Sequence, residues 1–263
     1  MKESWRDLSL KKLSAITLFS FVFIYSQPNP KDYLRLAAEL SCFSYTQFVY
    51  HHPTIKTNIE TPNNFDAYIR KKIHWREPND DYAGNISDLL LYGIFVGGIP
   101  FSSFYLKSQN STHELLLINL EILSINGLIT NFVKYTTNRQ RPYSFYSSKK
   151  DNDESYKSFF SGHTSTAFAI GTSTAKMFSK YSGINDKTIW IGSLGLAAAT
   201  GYFRLAADKH YFTDVLSGAI VGSLIGSTMF DILIKKYKNN KLLKHQIPKI
   251  SYTPYNIKLT VPL

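Results

Sequence analysis

Residues 188–234 read TIWIGSLGLAAATGYFRLAADKHYFTDVLSGAIVGSLIGSTMFDILI, two long apolar stretches separated by a short polar turn. Each stretch, Thr188–Ala207 and Tyr211–Ile234, would form a helix of about 30 Å or more, the thickness of a bilayer's hydrocarbon core. Small residues are frequent in both, and three glycines recur at every fourth position of the second: Gly218, Gly222 and Gly226. Small residues at this spacing favour close helix–helix contact in lipid. The stretch therefore predicts two helices that each pack closely against other helices of a bundle.

Three further apolar stretches precede this pair: Ser87–Leu106, Leu115–Val133 and Thr164–Phe178. Together they predict an all-α fold, a transmembrane helical bundle over residues 86–234. A buried soluble bundle is the alternative, because Thr164–Phe178 is only weakly apolar and the mean hydropathy of the chain is −0.16.

The segments on either side of this core have distinct compositions. Residues 1–12 are polar and basic, and Leu13–Tyr25 is almost wholly apolar. Such a stretch makes a helix of about 20 Å, so residues 1–26 are interpreted as a signal peptide or an N-terminal membrane anchor. Residues 27–85 are then an exported helical segment, and residues 235–263 a basic C-terminal tail.

Composition and charge exclude several classes of protein. The 263 residues contain 30 Lys and Arg against 19 Asp and Glu, a net charge of +11, and are 44% hydrophobic. This composition excludes a disordered chain, and the single cysteine, Cys42, excludes a disulfide scaffold. The basic residues cluster beside apolar stretches, as juxtamembrane charges do. They do not form the basic, aromatic-interleaved stripe of a nucleic-acid-binding protein, so a membrane is the expected partner and a nucleic acid is not.

The order of the apolar stretches predicts a topology. If residues 27–85 are exported, loop 134–161 and the turn 208–210 lie on the same outer side. Loops 107–114 and 180–187 and the basic tail then lie inside, as the positive-inside rule favours.

Polar residues that could carry chemistry fall at helix ends which this topology places on one face. They form three clusters: Lys134 with Arg141-Pro142, then Ser161-Gly162-His163, then Arg204 with His210 and Asp214. Arginine offers a planar fork that matches two phosphate oxygens, and lysine adds a point charge. A helix beginning at Ser161-Gly162 would add backbone N–H groups, with glycine permitting close approach. The clusters therefore predict a site for an oxyanion such as phosphate.

The two histidines give this site a means of catalysis. His210 and Asp214 are four residues apart and so share one helical face. The carboxylate would keep one imidazole nitrogen protonated and leave the other free to attack phosphorus. His163, on the opposite side of the bound group, would protonate the departing oxygen.

The three clusters resemble the signature of the type 2 phosphatidic acid phosphatase superfamily: Lys-x6-Arg-Pro, Pro-Ser-Gly-His and Ser-Arg-x5-His-x3-Asp. Two positions depart from it, since Phe160 stands where proline is usual and Phe203 where serine is usual. The resemblance implies that His210 is the nucleophile, oriented by Asp214, and that His163 is the general acid. It implies a phosphate clamp of five residues: Lys134, Arg141, Ser161, Gly162 and Arg204. It also implies that no metal or other cofactor is required.

The resulting hypothesis is a membrane phosphatase that hydrolyses a lipid phosphate or pyrophosphate through a phosphohistidine. Its expected location is a bacterial-type inner membrane, with the site facing the periplasm. A soluble periplasmic non-specific acid phosphatase and a vanadium-dependent haloperoxidase are alternatives with the same three clusters. A membrane scaffold without enzymatic activity is a further alternative. Residues 27–85 and 143–160 are expected to shape the choice of substrate.

Overall fold

The computed structural model of the protein describes residues 30–50, 62–106, 112–147, 153–181, 185–239, 249–253 and 256–260. The predicted signal peptide or anchor, residues 1–26, lies outside the described residues, as do parts of the predicted tail. Packing divides the chain into a first unit, Met1–Arg35, and a second, Leu36–Leu263. Only residues 30–35 of the first unit are described, and the helical bundle belongs to the second.

The described residues are almost entirely helical, as the sequence predicts. The α-helices are α1 (Pro30–Phe48), α2 (Asn64–Ile73), α3 (Asn79–Val96), α4 (Ser102–Tyr105), α5 (Thr112–Thr137), α6 (Pro142–Ser147), α7 (Gly162–Tyr181), α8 (Asp186–Ala206) and α9 (Phe212–Asn239). A π-helical turn (Gly97–Phe101) joins α3 to α4, and a 3-10 turn (Asp153–Tyr156) precedes α7. An antiparallel hairpin of β1 (Lys249–Thr253) and β2 (Asn256–Thr260) follows the bundle.

Helix α7 is the centre of the bundle and packs against α5, α8 and α9. Most of its residues are buried, and its small polar side chains bond to neighbouring helices. Ser165 donates to Asn126 of α5 at 2.6 Å, and Ser173 donates to Asn119 of the same helix at 2.8 Å. The low hydropathy of this stretch therefore has a physical reason: α7 is enclosed by protein and does not need an apolar surface.

The predicted glycine contact joins α9 to α7. A Cβ built on Gly218 would lie 2.7 Å from the Ser161 carbonyl oxygen, and Cβ atoms on Gly222 and Gly226 would collide with the carbonyls of Ser165 and Ala169. Both sets of positions advance by four residues, so the two helices touch backbone to backbone along one stripe. This confirms the close packing expected from the small residues.

The outer surface of the bundle is apolar. On α9 the exposed side chains include Leu216, Ile220 and Leu224, between 47% and 58% accessible, and on α3 Leu89 and Val96 are exposed as well. Three segments of the described chain are long and apolar enough to cross a membrane: Asn79–Pro100, Glu114–Ser147 and Phe212–Lys236. Contiguous apolar surface of this kind is unfavourable in water. The chain is therefore a helical membrane protein.

One predicted boundary differs from the helix that the structure forms. The core was expected to begin at residue 86, but α3 begins at Asn79, directly after Pro78. Proline is disfavoured inside a helix because it has no backbone N–H to donate and its ring clashes with the preceding turn. The helix therefore begins at the residue that follows Pro78. The predicted segment 27–85 and the predicted core thus share this helix.

The glycine stripe makes a testable prediction. Gly222→Ala should destabilise the protein by about 1–3 kcal/mol, because the added methyl group forces α9 away from α7. Gly192→Ala is the matched control, since nothing lies within 4 Å of a Cβ at Gly192. Thermal unfolding in detergent measures both, and an equal effect of the two substitutions would contradict the contact.

Candidate active site

The first cluster is placed by a turn at the end of α5. The helix ends at Thr137, and Asn138 has a φ of 44°, a left-handed conformation that asparagine tolerates. The Asn138 N–H donates to the Lys134 carbonyl, and the Arg141 N–H donates to the carbonyl of Ser155 at 2.7 Å. The turn therefore brings Arg141 back beside the end of the helix that carries Lys134.

The third cluster is placed by the turn between α8 and α9. Asp208 has a φ of 56°, its N–H donates to Leu205 O, and the Lys209 N–H donates to Arg204 O. This pair of bonds is the Schellman motif, with aspartate where glycine is usual. The reversal sets His210 directly after the helix end that holds Arg204.

The second cluster begins α7, with Ser161 as its cap. The Ser161 hydroxyl accepts a hydrogen bond from the Thr164 hydroxyl at 2.9 Å, and its backbone N–H donates to the Asp214 carbonyl at 3.1 Å. That N–H was expected to face the anion, but it is occupied, so the amides of Gly162 and the following residue are the ones left at the helix start. A Cβ on Gly162 would lie 3.3 Å from Lys134 Nζ, which shows how closely the two clusters meet.

The predicted cations gather in a buried group. Arg141 is 7% exposed and Arg204 6%, and the Nε atom of each has no hydrogen-bond partner among the described residues. Arg204 Nη1 donates to Ser87 Oγ and to Asp88 Oδ1, at 3.2 and 3.3 Å. Buried donors without partners are costly unless a ligand accepts from them. The group is therefore suited to an anion with several oxygens.

His210 is held in one orientation by the backbone. Its Nδ1 lies 2.7 Å from the Ser158 carbonyl oxygen, and the ring is almost completely buried. A carbonyl only accepts, so Nδ1 carries the proton and Nε2 of the neutral ring has a free lone pair. The sequence predicts Asp214 as the orienting partner, but its Oδ2 is 3.7 Å from Nδ1, beyond hydrogen-bond distance.

Asp214 influences the orientation of His210 indirectly, through Ser158. Its Oδ2 accepts from the Ser158 hydroxyl at 2.6 Å and from the Tyr211 N–H at 2.9 Å. The same carboxylate thus fixes Ser158, whose carbonyl orients His210. This indirect arrangement is what the spacing of His210 and Asp214 alone could not predict.

Arg139 connects Asp214 to the segment before the core. It donates to Asp214 Oδ1 at 2.5 Å and to Asp66 Oδ2 at 2.8 Å. Asp66, in the first turn of α2, also accepts from the backbone N–H and the hydroxyl of Thr213. Both carboxylates are fully buried, and Arg139 is the cation that they share.

The electrostatic surroundings lower the pKa of both histidines. Burial, followed by the positive charges of Arg141, Arg204 and Lys134, holds the pKa of His210 well below its usual value. Burial and the charge of Arg204 lower the pKa of His163 to about 4, against the opposing effect of Asp88. In the ligand-free protein both rings are therefore neutral at pH 7.

His163 has a carboxylate partner that sequence analysis did not assign to the site. Its Nε2 lies 2.8 Å from Asp88 Oδ1 on α3, and both side chains are partly exposed, 33% and 48%. The Asp88 carboxylate thus bridges His163 and Arg204.

The two departures from the family signature lie in apolar contacts. The Phe203 ring packs edge-to-face on Trp75 at 5.8 Å, beside the buried Ala206 and Ala207. Phe160 is 2% exposed. Neither side chain can donate a hydrogen bond, so the site lacks the hydroxyl that serine would supply in place of Phe203.

The structure thus brings all eight predicted residues to one end of the bundle: Lys134, Arg141, Ser161, Gly162, His163, Arg204, His210 and Asp214. Sequence reasoning missed four residues of this region: Asp66, Asp88, Arg139 and Ser158. Of these four residues, only Arg139 could have been found from the sequence, because it is a charged residue between Lys134 and Arg141 of the first cluster. Within the described part of the chain, His, Cys, Asp and Glu form no group of three placed to hold a metal ion.

Comparison with known proteins shows what this fold and site are similar to. Residues 115–238 match the PAP2 superfamily. The chain is 28% identical over 203 residues to lipid phosphate phosphatase 1 of Arabidopsis thaliana, and 30% identical over 122 residues to the lipid A 1-phosphatase of Porphyromonas gingivalis. A transmembrane PAP2-type phosphatidylglycerolphosphate phosphatase from Bacillus subtilis has a similar fold, with a TM-score of 0.51 at 22% identity over 80% of this chain and 98% of that one.

Residues 115–238, the part of the chain that matches the PAP2 superfamily, hold all three clusters. The matches cover 66% and 46% of this chain, respectively. The chain spans 62% of the length of the Arabidopsis relative and 24% of the Porphyromonas one.

The Arg139 bridge makes a testable prediction. Arg139→Gln should cost about 3–5 kcal/mol, because it leaves two buried carboxylates without their cation. Asp66→Asn should cost less, since the amide still accepts from Thr213. In a double-mutant cycle by thermal unfolding, Asp66→Asn should offset part of the loss caused by Arg139→Gln. Strict additivity would contradict a shared bridge.

Proposed function

We propose that this protein is a metal-independent phosphatase that hydrolyses a lipid phosphate or pyrophosphate through a phosphohistidine. The observation that carries the proposal is the buried His210 ring, with Nδ1 bound to a carbonyl and Nε2 unprotonated beside three cations. Such a ring is a nucleophile held against an anion site. The names of the two relatives, a lipid phosphate phosphatase and a lipid A 1-phosphatase, support a phosphorylated lipid as substrate.

The first chemical step transfers the phosphoryl group to the protein. Nε2 of His210 attacks phosphorus and forms a P–N bond as the P–O bond to the lipid alcohol breaks. The departing oxygen takes a proton from His163. Lys134, Arg141 and Arg204 stabilise the charge on the remaining phosphate oxygens, aided by the Ser161 hydroxyl and the amide of Gly162.

The second step releases phosphate. The now neutral His163 takes a proton from water, and the water oxygen attacks phosphorus as the P–N bond breaks. His210 returns to its neutral form and His163 to its protonated form, so the cycle is balanced. The Ser158 carbonyl holds the Nδ1 proton throughout, and Asp214 holds Ser158 in place.

Substrate binding itself prepares the acid. His163 is neutral at pH 7 without a ligand, because its pKa is about 4. A phosphate dianion between Lys134, Arg141 and Arg204 offsets their charge and so raises the pKa of the ring. The proposal therefore includes uptake of a proton by His163 when the anion binds.

The site lies at helix ends, where a lipid headgroup would meet the bundle. The proposed location is the exported face of a bacterial-type inner membrane, with the site towards the periplasm. The apolar surfaces of α3 and α9 favour this membrane form over a soluble acid phosphatase.

Two substitutions separate the roles of the histidines. His210→Gln should abolish phosphate release from every ester, because no P–N bond can form. His163→Gln should slow transfer of the phosphoryl group from an alkyl phosphate to His210 by about 10²–10⁴-fold but spare transfer from p-nitrophenyl phosphate, whose leaving group needs no proton. Hydrolysis of the phosphohistidine should slow for both esters, because it uses His163 as the base. Phosphate release in the presence of EDTA measures His210→Gln, and single-turnover release of the alcohol or of p-nitrophenol measures His163→Gln. Equal losses of that single-turnover release on the two esters would contradict His163 as the acid.

Proton uptake can be measured directly with tungstate, a tetrahedral dianion that does not titrate near pH 7. Calorimetry in buffers of different ionisation enthalpy should show net uptake of protons on tungstate binding. The sign follows from a pKa that starts near 4 and rises when negative charge is added. Uptake should disappear in His163→Gln, and its persistence there would assign the proton to another group.

A further inference from the structure

A second basic cavity lies beside α2, separate from the cations that surround His210. Its volume is about 330 Å³, and it is lined by Ala67, Arg70, Lys71, His74, Arg76 and Tyr146. Four of these six residues have basic side chains, and none is acidic. A cavity of this charge attracts an anion.

One wall of the cavity is fixed by a paired guanidinium. Arg70 donates from Nε and Nη2 to the two carboxylate oxygens of Asp208, at 2.6 and 2.7 Å. Its guanidinium carbon lies 3.9 Å from the centre of the Tyr146 ring. A guanidinium held between a carboxylate and an aromatic face loses little freedom when it binds a ligand. Its Nη1 takes no part in the pair with Asp208.

The remaining basic residues are not neutralised by the protein. Asp208 balances Arg70, but Lys71 and Arg76 are exposed and make no ion pair with any residue that the structure describes. His74, at the end of α2, adds an imidazole and is followed in the chain by Trp75. The cavity therefore has two uncompensated positive charges.

The cavity is linked to the catalytic turn. Asp208, which anchors Arg70, is two residues before His210, so their Cα atoms are at most about 7 Å apart. Tyr146 lies near the end of α6, the helix that begins directly after Arg141. Both walls of the cavity are thus attached to elements that carry catalytic residues.

We propose that this cavity binds a second phosphate group, while the first is held at His210. The proposal rests on the proposed function and adds a substrate class: lipids whose headgroup carries two phosphate groups on one molecule. Free inorganic phosphate has the same chemistry and would be the other source of the anion. Lys71 and Arg76 determine this preference, and Arg70 positions the wall between the two sites.

The test uses a pair of soluble esters that differ only in the second anion. Alkane-1,ω-diol bisphosphates of increasing chain length are compared with alkyl monophosphates in neutral detergent micelles, so that no anionic membrane contributes. Wild-type protein should show a higher kcat/KM for the bisphosphate at one range of lengths. The doubly substituted Lys71→Gln, Arg76→Gln protein should lower the bisphosphate-to-monophosphate ratio at least tenfold.

Lys72→Gln is the matched control. Lys72 neighbours Lys71 on α2 and is exposed, but it does not line the cavity. Lys72→Gln removes one positive charge, as Lys71→Gln does by itself, and should leave the ratio unchanged. An equal fall with Lys72→Gln would mean a general effect of surface charge and would overturn the second site.

A second experiment distinguishes free inorganic phosphate from a second phosphate group on the lipid as the ligand of the cavity. Inorganic phosphate added to the monophosphate assay should inhibit competitively at the catalytic site. If the cavity takes free phosphate, a further non-competitive component should appear and should vanish in the doubly substituted protein. If wild type shows neither the chain-length preference nor this component, the second site is wrong. If wild type hydrolyses neither ester, the proposed function itself is wrong.

Discussion

The backbone contact between α7 and α9 is the constraint on which the rest of the site depends. Gly218, Gly222 and Gly226 allow this contact, because a Cβ at any of them would meet a carbonyl of α7 or of its cap. The same alignment sets the start of α7 level with the start of α9, where the Ser161 N–H donates to the Asp214 carbonyl. The start of α7 and the turn that carries His210 therefore lie side by side at the same end of the bundle. A wider separation of the helices would divide the site before it altered any catalytic side chain.

The second physical feature is a surplus of buried positive charge. Burying Arg141 and Arg204 side by side is unfavourable, because both lose hydration and each repels the other. Asp88 and Glu154 offset this only in part, since both carboxylates are substantially exposed. The folded protein contains this unfavourable free energy, and binding of an anion between the two arginines would offset it. Burial and the same positive charge keep the pKa of His210 low, so the proposed phosphate clamp would also keep the proposed nucleophile neutral.

The segment before the core is part of this machinery. Asp66 completes the bridge through Arg139 to Asp214, and Arg70 anchors the turn before His210 through Asp208. Both α2 residues lie in the segment 27–85, where no sequence motif marks them. Through these contacts, a segment outside residues 115–238 holds Asp214 and the turn between α8 and α9 in place.

The sequence by itself determined the helices and the glycine stripe, and it identified eight residues that the fold brings to one end of the bundle. These features depend on local spacing: apolar length, a four-residue repeat, and motifs at helix ends. It did not determine which groups bond to one another. The partner of His210 is the Ser158 carbonyl and not Asp214, and the partner of His163 is Asp88, far away in the chain. Asp66 lies beside the site although no sequence motif marks it. Such pairings depend on the rotation of each helix about its axis and on the path of the loops, and these are decided only when the helices pack and every buried donor must find an acceptor.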